Sequence, residues 1–551
     1  MTFDPNDNLD FSGKTFLVID DFAGMRNILR DILRNCGAQT KSIEMASNGK
    51  EAVALLTRQK FDVVLCDFNL GPGKNGQQIL EEAKVNELIG PGCAWIMITA
   101  EKTSDVVTGT AEFQPDTYLV KPITEATLRT RLSKIWAKKE AFYEIDAALS
   151  RHDQALAIRL CDEQLQTDKA NAADLQRLKC QLLLANGDLE RARQGYAQVL
   201  AVRDTPWAKT GMAKVLFQGG DFSGAKKLLE EVINDNSSFL EAYDLLAKTL
   251  LAKGDDATAE QILERATRLS PCSVLRQKSL GDVALKLGKH DNAERAFRKS
   301  VSLGEHSVLK TPGAYLGLAK VCSAKQNPEE ALRVLGTLNK TFDQDEVKLK
   351  SLAVEGQVHH QNGNTALANK SIEELNQKLL AGEGKQDSET TMEVARLLLA
   401  TGDRERAVSM LQSEVKNSPE NVSLLSDING IFADANMAEE GAKLVEIARQ
   451  EALEMMNRGV LLARDGKLKE AVESMRNARL VMPSNVRVLF NFAYVGISQM
   501  QQLGVNASLV AEVRSSLEEA NLLAPGDRRF GQQMAALDKL ESGASGNPDA
   551  V

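Results

Sequence analysis

The stretch Phe61-Asp62-Val63-Val64-Leu65-Cys66-Asp67-Phe68-Asn69-Leu70 decides how the first part of this chain folds. Apart from Asp62, its first six residues are all apolar, which reads as a short buried strand, and the run ends abruptly on a carboxylate, Asp67. Open α/β sheets bind ligands just beyond the carboxyl ends of their strands. A charge at that mouth is a candidate site residue if other strands bring partners to the same edge.

Working outward, three more apolar runs end on polar groups. Thr15-Phe-Leu-Val-Ile19 runs into Asp20-Asp21, Ala94-Trp-Ile-Met-Ile98 delivers Thr99, and Thr117-Tyr-Leu-Val120 delivers Lys121-Pro122. Helix-like segments separate them, over Met25 to Asn35, Gly49 to Arg58, Gly76 to Asn86 and Thr103 to Glu112. In one parallel sheet, three carboxylates, a hydroxyl and an ammonium converge on one edge. Packed carboxylates repel, so the cluster calls for a hard divalent cation held by oxygen ligands.

Over residues 12–137 this pattern resembles the receiver domain of bacterial two-component response regulators. The resemblance rests on Asp20-Asp21 after strand one, Asp67 after strand three, Thr99 after strand four and Lys121-Pro122 after strand five. It implies a doubly wound five-stranded parallel sheet in which Asp67 accepts a phosphoryl group from a histidine kinase or phosphotransfer protein. It further implies that Asp21 and Asp67 ligate Mg²⁺, with Asp20 acting mainly through water and Asn69 through its backbone carbonyl. Thr99 then bonds the phosphoryl oxygen and Lys121 pairs with it, so that the protein positions the group and neutralises its charge. The residues around the motifs are similar to chemotaxis-type receivers: Asn69 and Glu101 imply a short-lived phosphoryl state, and Tyr118 matches an aromatic switch coupled to Thr99. Two stretches depart from the family pattern. Leu70-Gly-Pro-Gly-Lys-Asn-Gly76 is a residue longer than the usual loop, and Phe113-Gln-Pro-Asp-Thr117 lacks the common run of small residues.

Rival readings exist for each piece. An isolated Asp20-Asp21 is more simply a helix cap, and Lys121-Pro122 a turn. It is their occurrence together, in order, that favours one site. Gly71-Pro-Gly73-Lys-Asn-Gly76 formally fits a dinucleotide fingerprint. It comes after the third strand instead of opening the first βαβ unit, and it would set a pyrophosphate against Asp67, so that reading is rejected.

The chain has 551 residues, 43% of them hydrophobic and 26% charged, which is ordinary for a globular protein. A net charge of −9 and a pI near 5.4 argue against a broad nucleic-acid footprint. Seven scattered cysteines without a C-x-x-C spacing read as reduced thiols in a cytoplasmic protein. Neither a signal peptide nor a membrane-spanning run is expected. Residues 1–11 read as a flexible lead-in. From Thr124 to Ser150 there is no Pro or Gly, and Leu128, Leu132, Ile135, Phe142, Ile145 and Leu149 hold a helical stripe. A continuous or near-continuous helix is therefore expected to join the receiver to the next domain.

From residue 138 to 540 the chain is self-similar. Gly187, Gly220, Gly254 and Gly288 are spaced by 33, 34 and 34 residues, and Gly363, Gly402 and Gly466 continue the series. Five residues after each stands Ala (192, 225, 259, 293, 368, 407, 471), and nine after each a bulky residue: Tyr196, Leu229, Leu263, Phe297, Ile372, Leu411, Met475. Gly281, Gly356 and Gly459 lie seven before, and Pro271, Pro419 and Pro483 seventeen after. This resembles the tetratricopeptide repeat, an all-α superhelix of about ten stacked hairpins. Weaker repeats are expected around His152-Asp153, Gln326-Asn327 and Asn436-Met437. Gly382 to Ser388 reads as a break, and residues 541–551 as a disordered tail.

Nothing in the repeats reads as chemistry. His359-His360 lacks metal-site spacing, and no nucleotide loop, nucleophile elbow or DNA-recognition helix stands out. The resulting expectation is a response regulator, not otherwise an enzyme, whose receiver controls protein binding in the repeat groove. It has no DNA-binding output and no membrane insertion. A constitutive scaffold whose receiver serves only for docking is the alternative.

Overall fold

The computed structural model describes residues 11–100, 113–381 and 387–545. Its five strands are β1 (Phe16–Ile19), β2 (Ile43–Ala46), β3 (Val63–Asp67), β4 (Ala94–Thr99) and β5 (Thr117–Val120), all parallel in the order β2-β1-β3-β4-β5. The two-residue period of a strand splits their side chains between two cores. Phe16, Val18, Val63, Leu65, Ile96 and Ile98 face α1 (Ala23–Asn35) and α4 (Glu125–Ala141) through Leu29, Leu33, Leu128 and Leu132. Leu17, Ile19, Val64, Cys66, Trp95 and Met97 face α2 (Gly49–Arg58) and α3 (Gly76–Val85) through Leu56, Ile79 and Leu80. Burial on both faces is why these strands read as unbroken apolar runs.

Phe11 is fully buried, stacked on Phe16 at 5.8 Å and edge-on to Trp136 at 5.1 Å. Phe11, placed in the flexible lead-in expected over residues 1–11, is therefore packed into the core, and residues 1–10 lie outside the described residues. The helix expected over Thr103–Glu112 lies outside the described residues.

The joint is near-continuous. Thr124 caps α4 by accepting from Thr127 N, and α5 (Tyr143–Ser150) begins after one residue, Phe142, at φ −98° and ψ 3°. Hydrogen bonds from Phe142 N to Lys138 O (3.1 Å) and from Asp146 N to Phe142 O (2.8 Å) keep the four-residue ladder running through the break.

The remainder of the described chain is helical, and the chain as a whole divides into two compact units, one comprising the receiver within Met1–Leu250 together with Asp256–Gly317, the other Leu251–Asp255 and Leu318–Val551. All seven turn glycines are left-handed, from φ 68° at Gly187 to 96° at Gly402. At each, the turn amide bonds the carbonyl three residues back, as in Gly288 N to Leu285 O (2.9 Å). In that corner the next amide also closes on the carbonyl five back, Lys289 N to Ala284 O (2.8 Å). The three weaker repeats make the same corner without glycine: His152, Gln326 and Asn436 sit at φ 57°, 60° and 58°. Each alanine five residues on is fully buried. Three of the bulky residues, Tyr196, Phe297 and Met475, are seated on glycine. A Cβ on Gly281 would lie 2.6 Å from the Phe297 ring, on Gly317 2.3 Å from the same ring, and on Gly459 2.3 Å from Met475. These small residues are what let helices close on a ring.

Two features differ from expectation. Ala438–Arg464 is one helix of 27 residues that fuses the second helix of one repeat to the first of the next. The sequence Ile447 to Arg458 contains neither Pro nor Gly and supplies no stop. Residues 541–545, expected to open a disordered tail, are instead the end of the last described helix, Arg528–Ser545, helped by Arg514 pairing with Glu541 at 2.5 Å. Of the break expected at Gly382 to Ser388, residues 382–386 lie outside the described residues, while Asp387 caps the helix that starts at Ser388.

Candidate functional site

Strand register brings the site together. Asp67 ends β3 beside Ile98, so Thr99 stands one residue further along the neighbouring strand. Thr99 O in turn accepts from Lys121 N at 2.9 Å, fixing the residue that leaves β5. Asp20 comes directly after β1, with its amide donating to Ala46 O of β2. Parallel strands ending in step deliver all of these to one edge.

The Lys121 ammonium bridges two carboxylates, lying 3.0 Å from Asp20 Oδ2 and 2.9 Å from Asp67 Oδ2. Asp20 is fully buried, Asp67 and Thr99 nearly so, whereas Asp21 and Asn69 are exposed. Asp20 Oδ1 also accepts from Phe22 N at 2.9 Å, and Arg26 donates to the backbone carbonyls of Asp20 and Asp21. Among the described residues no hydrogen bond satisfies the Asp21 carboxylate. One ligand oxygen from each of Asp20, Asp21 and Asp67 lies within 4.8 Å of the others. Three carboxylates against one ammonium leave two negative charges, and the donors are all hard oxygens. That set suits a divalent cation of the magnesium or calcium type.

Burial pushes the Asp67 carboxyl above its ordinary value, and the Asp20 carboxylate adds to this, against the pull of Lys121. Lys121 itself is lowered by burial but raised by more through its bonds to Asp67 and Asp20. The thiol of the preceding Cys66 is fully enclosed and pushed far up, so it stays protonated.

The long loop after Asp67 is held shut at its base. Phe68 N donates to Ile98 O (2.8 Å), Gly76 N donates to Phe68 O (2.9 Å), and Gly71 and Gly73 take φ of 69° and 102°. A Cβ at Gly76 would lie 2.2 Å from Asp67 O, so only glycine lets α3 start so close beneath the acid. Asn75 and Gln78 cap that helix reciprocally. Tyr118 is half-buried against the α2/α3 core, beside Met97 on the adjacent strand. Glu101 lies outside the described residues. Sequence reading missed Arg26 and Gly76 as parts of the site; a glycine directly after Asn75, where the chain turns into a helix, was the available sign of close backbone approach.

Comparison with known proteins agrees with this geometry. A response regulator receiver domain model matches residues 16–133, and tetratricopeptide repeat models match residues 216–271 and 279–304. Over 122 residues the chain is 34% identical to the chemotaxis protein CheY-3 of Vibrio cholerae serotype O1, covering 22% of this chain and 91% of that protein. It is 32% identical over 122 residues to the chemotaxis protein CheY of Pseudomonas aeruginosa, covering 22% and 95%. A tetratricopeptide repeat protein of known structure from Parabacteroides merdae covers 56% of this chain and 98% of its own, at 15% identity and a TM-score of 0.30, a likeness too slight to bear on function.

Proposed function

This chain belongs to the response regulator receiver family, and on that premise we propose that Asp67 is the phosphoacceptor of a phosphorelay whose output is protein binding by the repeat array. The observation that carries the reading is the shared ion pair of Lys121 with both Asp20 and Asp67. An ammonium already placed on the acceptor oxygen stands where charge builds on a transferring phosphoryl group. Mg²⁺ bound by Asp20, Asp21 and Asp67, with the Asn69 carbonyl, would supply the remaining charge neutralisation. Thr99, buried one residue beyond the acceptor's strand neighbour, is the hydroxyl that tracks the phosphoryl oxygens, and Tyr118 reports its movement. The donor is a histidine kinase or phosphotransfer protein. Asn69 and Glu101 set the rate of self-hydrolysis, which is the chain's sole chemistry in this reading. The repeats take a protein or peptide partner, in the cytoplasm; no described helix is long and apolar enough to cross a membrane.

Incubation with acetyl phosphate and Mg²⁺ should give an acid-labile, hydroxylamine-sensitive phosphoryl adduct on the wild type and none on Asp67→Asn. Lys121→Ala should slow labelling by about a hundredfold or more, given the usual worth of an electrostatic group at the reacting centre. Equal labelling of Asp67→Asn and the wild type would refute the assignment. A pull-down comparing beryllofluoride-loaded and unloaded chain then tests the output, with no state-dependent partner favouring constitutive binding.

A further inference from the structure

At the opposite edge of the sheet from Asp67, a cavity of about 500 Å³ opens between the start of β5 and the helical joint. Arg131, Lys134, Lys138 and Lys139 line it from α4, with Ile135 and Phe142 as apolar floor and Asp116 and Asp146 as acids. Its volume falls in the range of small-molecule sites. The charges are unevenly satisfied. Lys139 pairs with Asp116 at 3.1 Å and Lys138 with Asp174 at 2.7 Å. Among the described residues Arg131 and Lys134 have no carboxylate or carbonyl partner, and no donor hydrogen-bonds the half-buried Asp146 carboxylate, which feels Lys139 only through space. Burial raises the Asp146 carboxyl above its ordinary value. Nearby, Lys84 is lowered by burial and by the closeness of Lys139.

The cavity thus offers two uncommitted cations, one uncommitted acceptor and a buried aromatic ring. Lys134 and Phe142 are eight residues apart, or ~12 Å along a helix at 1.5 Å per residue. We infer that this cavity binds a mononucleotide, its phosphate on Arg131 and Lys134, its sugar hydroxyls or base amino group on Asp146, and its base against Ile135 and Phe142. Phe142 is the residue at which α4 gives way to α5, so an occupant there touches the joint between receiver and repeats. The inference does not depend on the phosphoacceptor assignment, because none of these residues lies at the Asp67 edge.

Isothermal titration of the full chain with AMP, in EDTA so that no metal site participates, tests it; inorganic phosphate is titrated in parallel. Saturable one-to-one AMP binding is expected. Arg131→Ala should weaken it about tenfold, and Arg131→Ala with Lys134→Ala about a hundredfold, as for loss of one and two charge-assisted contacts. Both residues are exposed, so the double variant should keep the wild-type circular dichroism. Phe142→Leu should weaken AMP and leave phosphate unchanged, and Asp67→Asn should leave AMP binding as it is. The inference is overturned by AMP heats that do not saturate, by a double variant that binds like the wild type, or by loss of binding in Asp67→Asn. Phosphate binding as tight as that of AMP would overturn the nucleotide assignment.

Discussion

Ten hairpin corners share one hydrogen-bonding pattern, but three of them place a side chain where seven place glycine, and the difference can be measured. Gln326 is the clearest case. Its φ is 60°, its side chain is exposed, and it makes no side-chain hydrogen bond, so replacing it removes nothing but conformational strain. Left-handed backbone costs an L residue ~1–2 kcal/mol. Glycine relieves that but enlarges the unfolded ensemble, taking back ~0.5–1 kcal/mol. Gln326→Gly should therefore stabilise its hairpin by ~0.5–1 kcal/mol. Asn436→Gly should gain less, because Asn tolerates this region better, with His152→Gly in between. The reverse change, Gly220→Ala at φ 83°, should cost ~1 kcal/mol. Repeat arrays unfold in parts, so a single global midpoint is a blunt readout. Native-state amide exchange in Pro328–Thr341 is the sharper one. Gln326→Gly should slow it about two- to fivefold, the factor that ~0.5–1 kcal/mol implies. Faster exchange in Gln326→Gly, or unchanged exchange around Gly220→Ala, would show that the shared corner does not carry the strain assigned to it.

Three further outcomes are expected from packing and charge. Gly281→Ala, whose Cβ would lie 2.6 Å from the Phe297 ring, should destabilise by ~1–3 kcal/mol in urea melts, and Phe297→Leu in the same chain should recover part of the loss. Asp387 is raised by burial but held down to about 2 overall by hydrogen bonds from Lys350 and Thr390. Its folded value lies below its unfolded one, so its contribution is complete above about pH 4 and fades as the pH falls towards 2. After discounting for its partial exposure this is on the order of 1 kcal/mol, visible as a flatter acid limb in urea midpoints of Asp387→Asn, whereas an identical limb would refute it. Cys272 is the exposed thiol, while Cys93 is buried with its thiol pushed up to about 12. Mass spectrometry after brief iodoacetamide treatment of the native chain should find Cys272 modified well before Cys93.

The receiver was legible because each site residue sits directly after an apolar run. Once strands are assigned, parallel register leaves little choice about where Asp20, Asp67, Thr99 and Lys121 meet. The role of Gly76 was harder to see, since its need arises from contact with the Asp67 carbonyl, a distance no local pattern encodes. Arg26 likewise acts on backbone oxygens of residues five and six before it. In the repeats, glycine marked seven corners strongly, and His152, Gln326 and Asn436 were recoverable only by counting the period. The fused helix Ala438–Arg464 escaped because a period tells where units recur and says nothing of whether the chain pauses between them. Phe11 was misjudged for a related reason: a lone aromatic in a polar segment shows no periodicity, and its partner Trp136 lies 125 residues away.

Ala438–Arg464 has a consequence for how the array can be altered. Where hairpins are separated by a turn, one unit of 34 residues can be cut out and the flanking ends rejoined. Within this helix no such seam exists, because removing residues turns everything beyond the cut by about 100° per residue deleted. Changes of length there are tolerated only in steps that restore the helical phase, so the last repeats are inherited, lost or transplanted as one block.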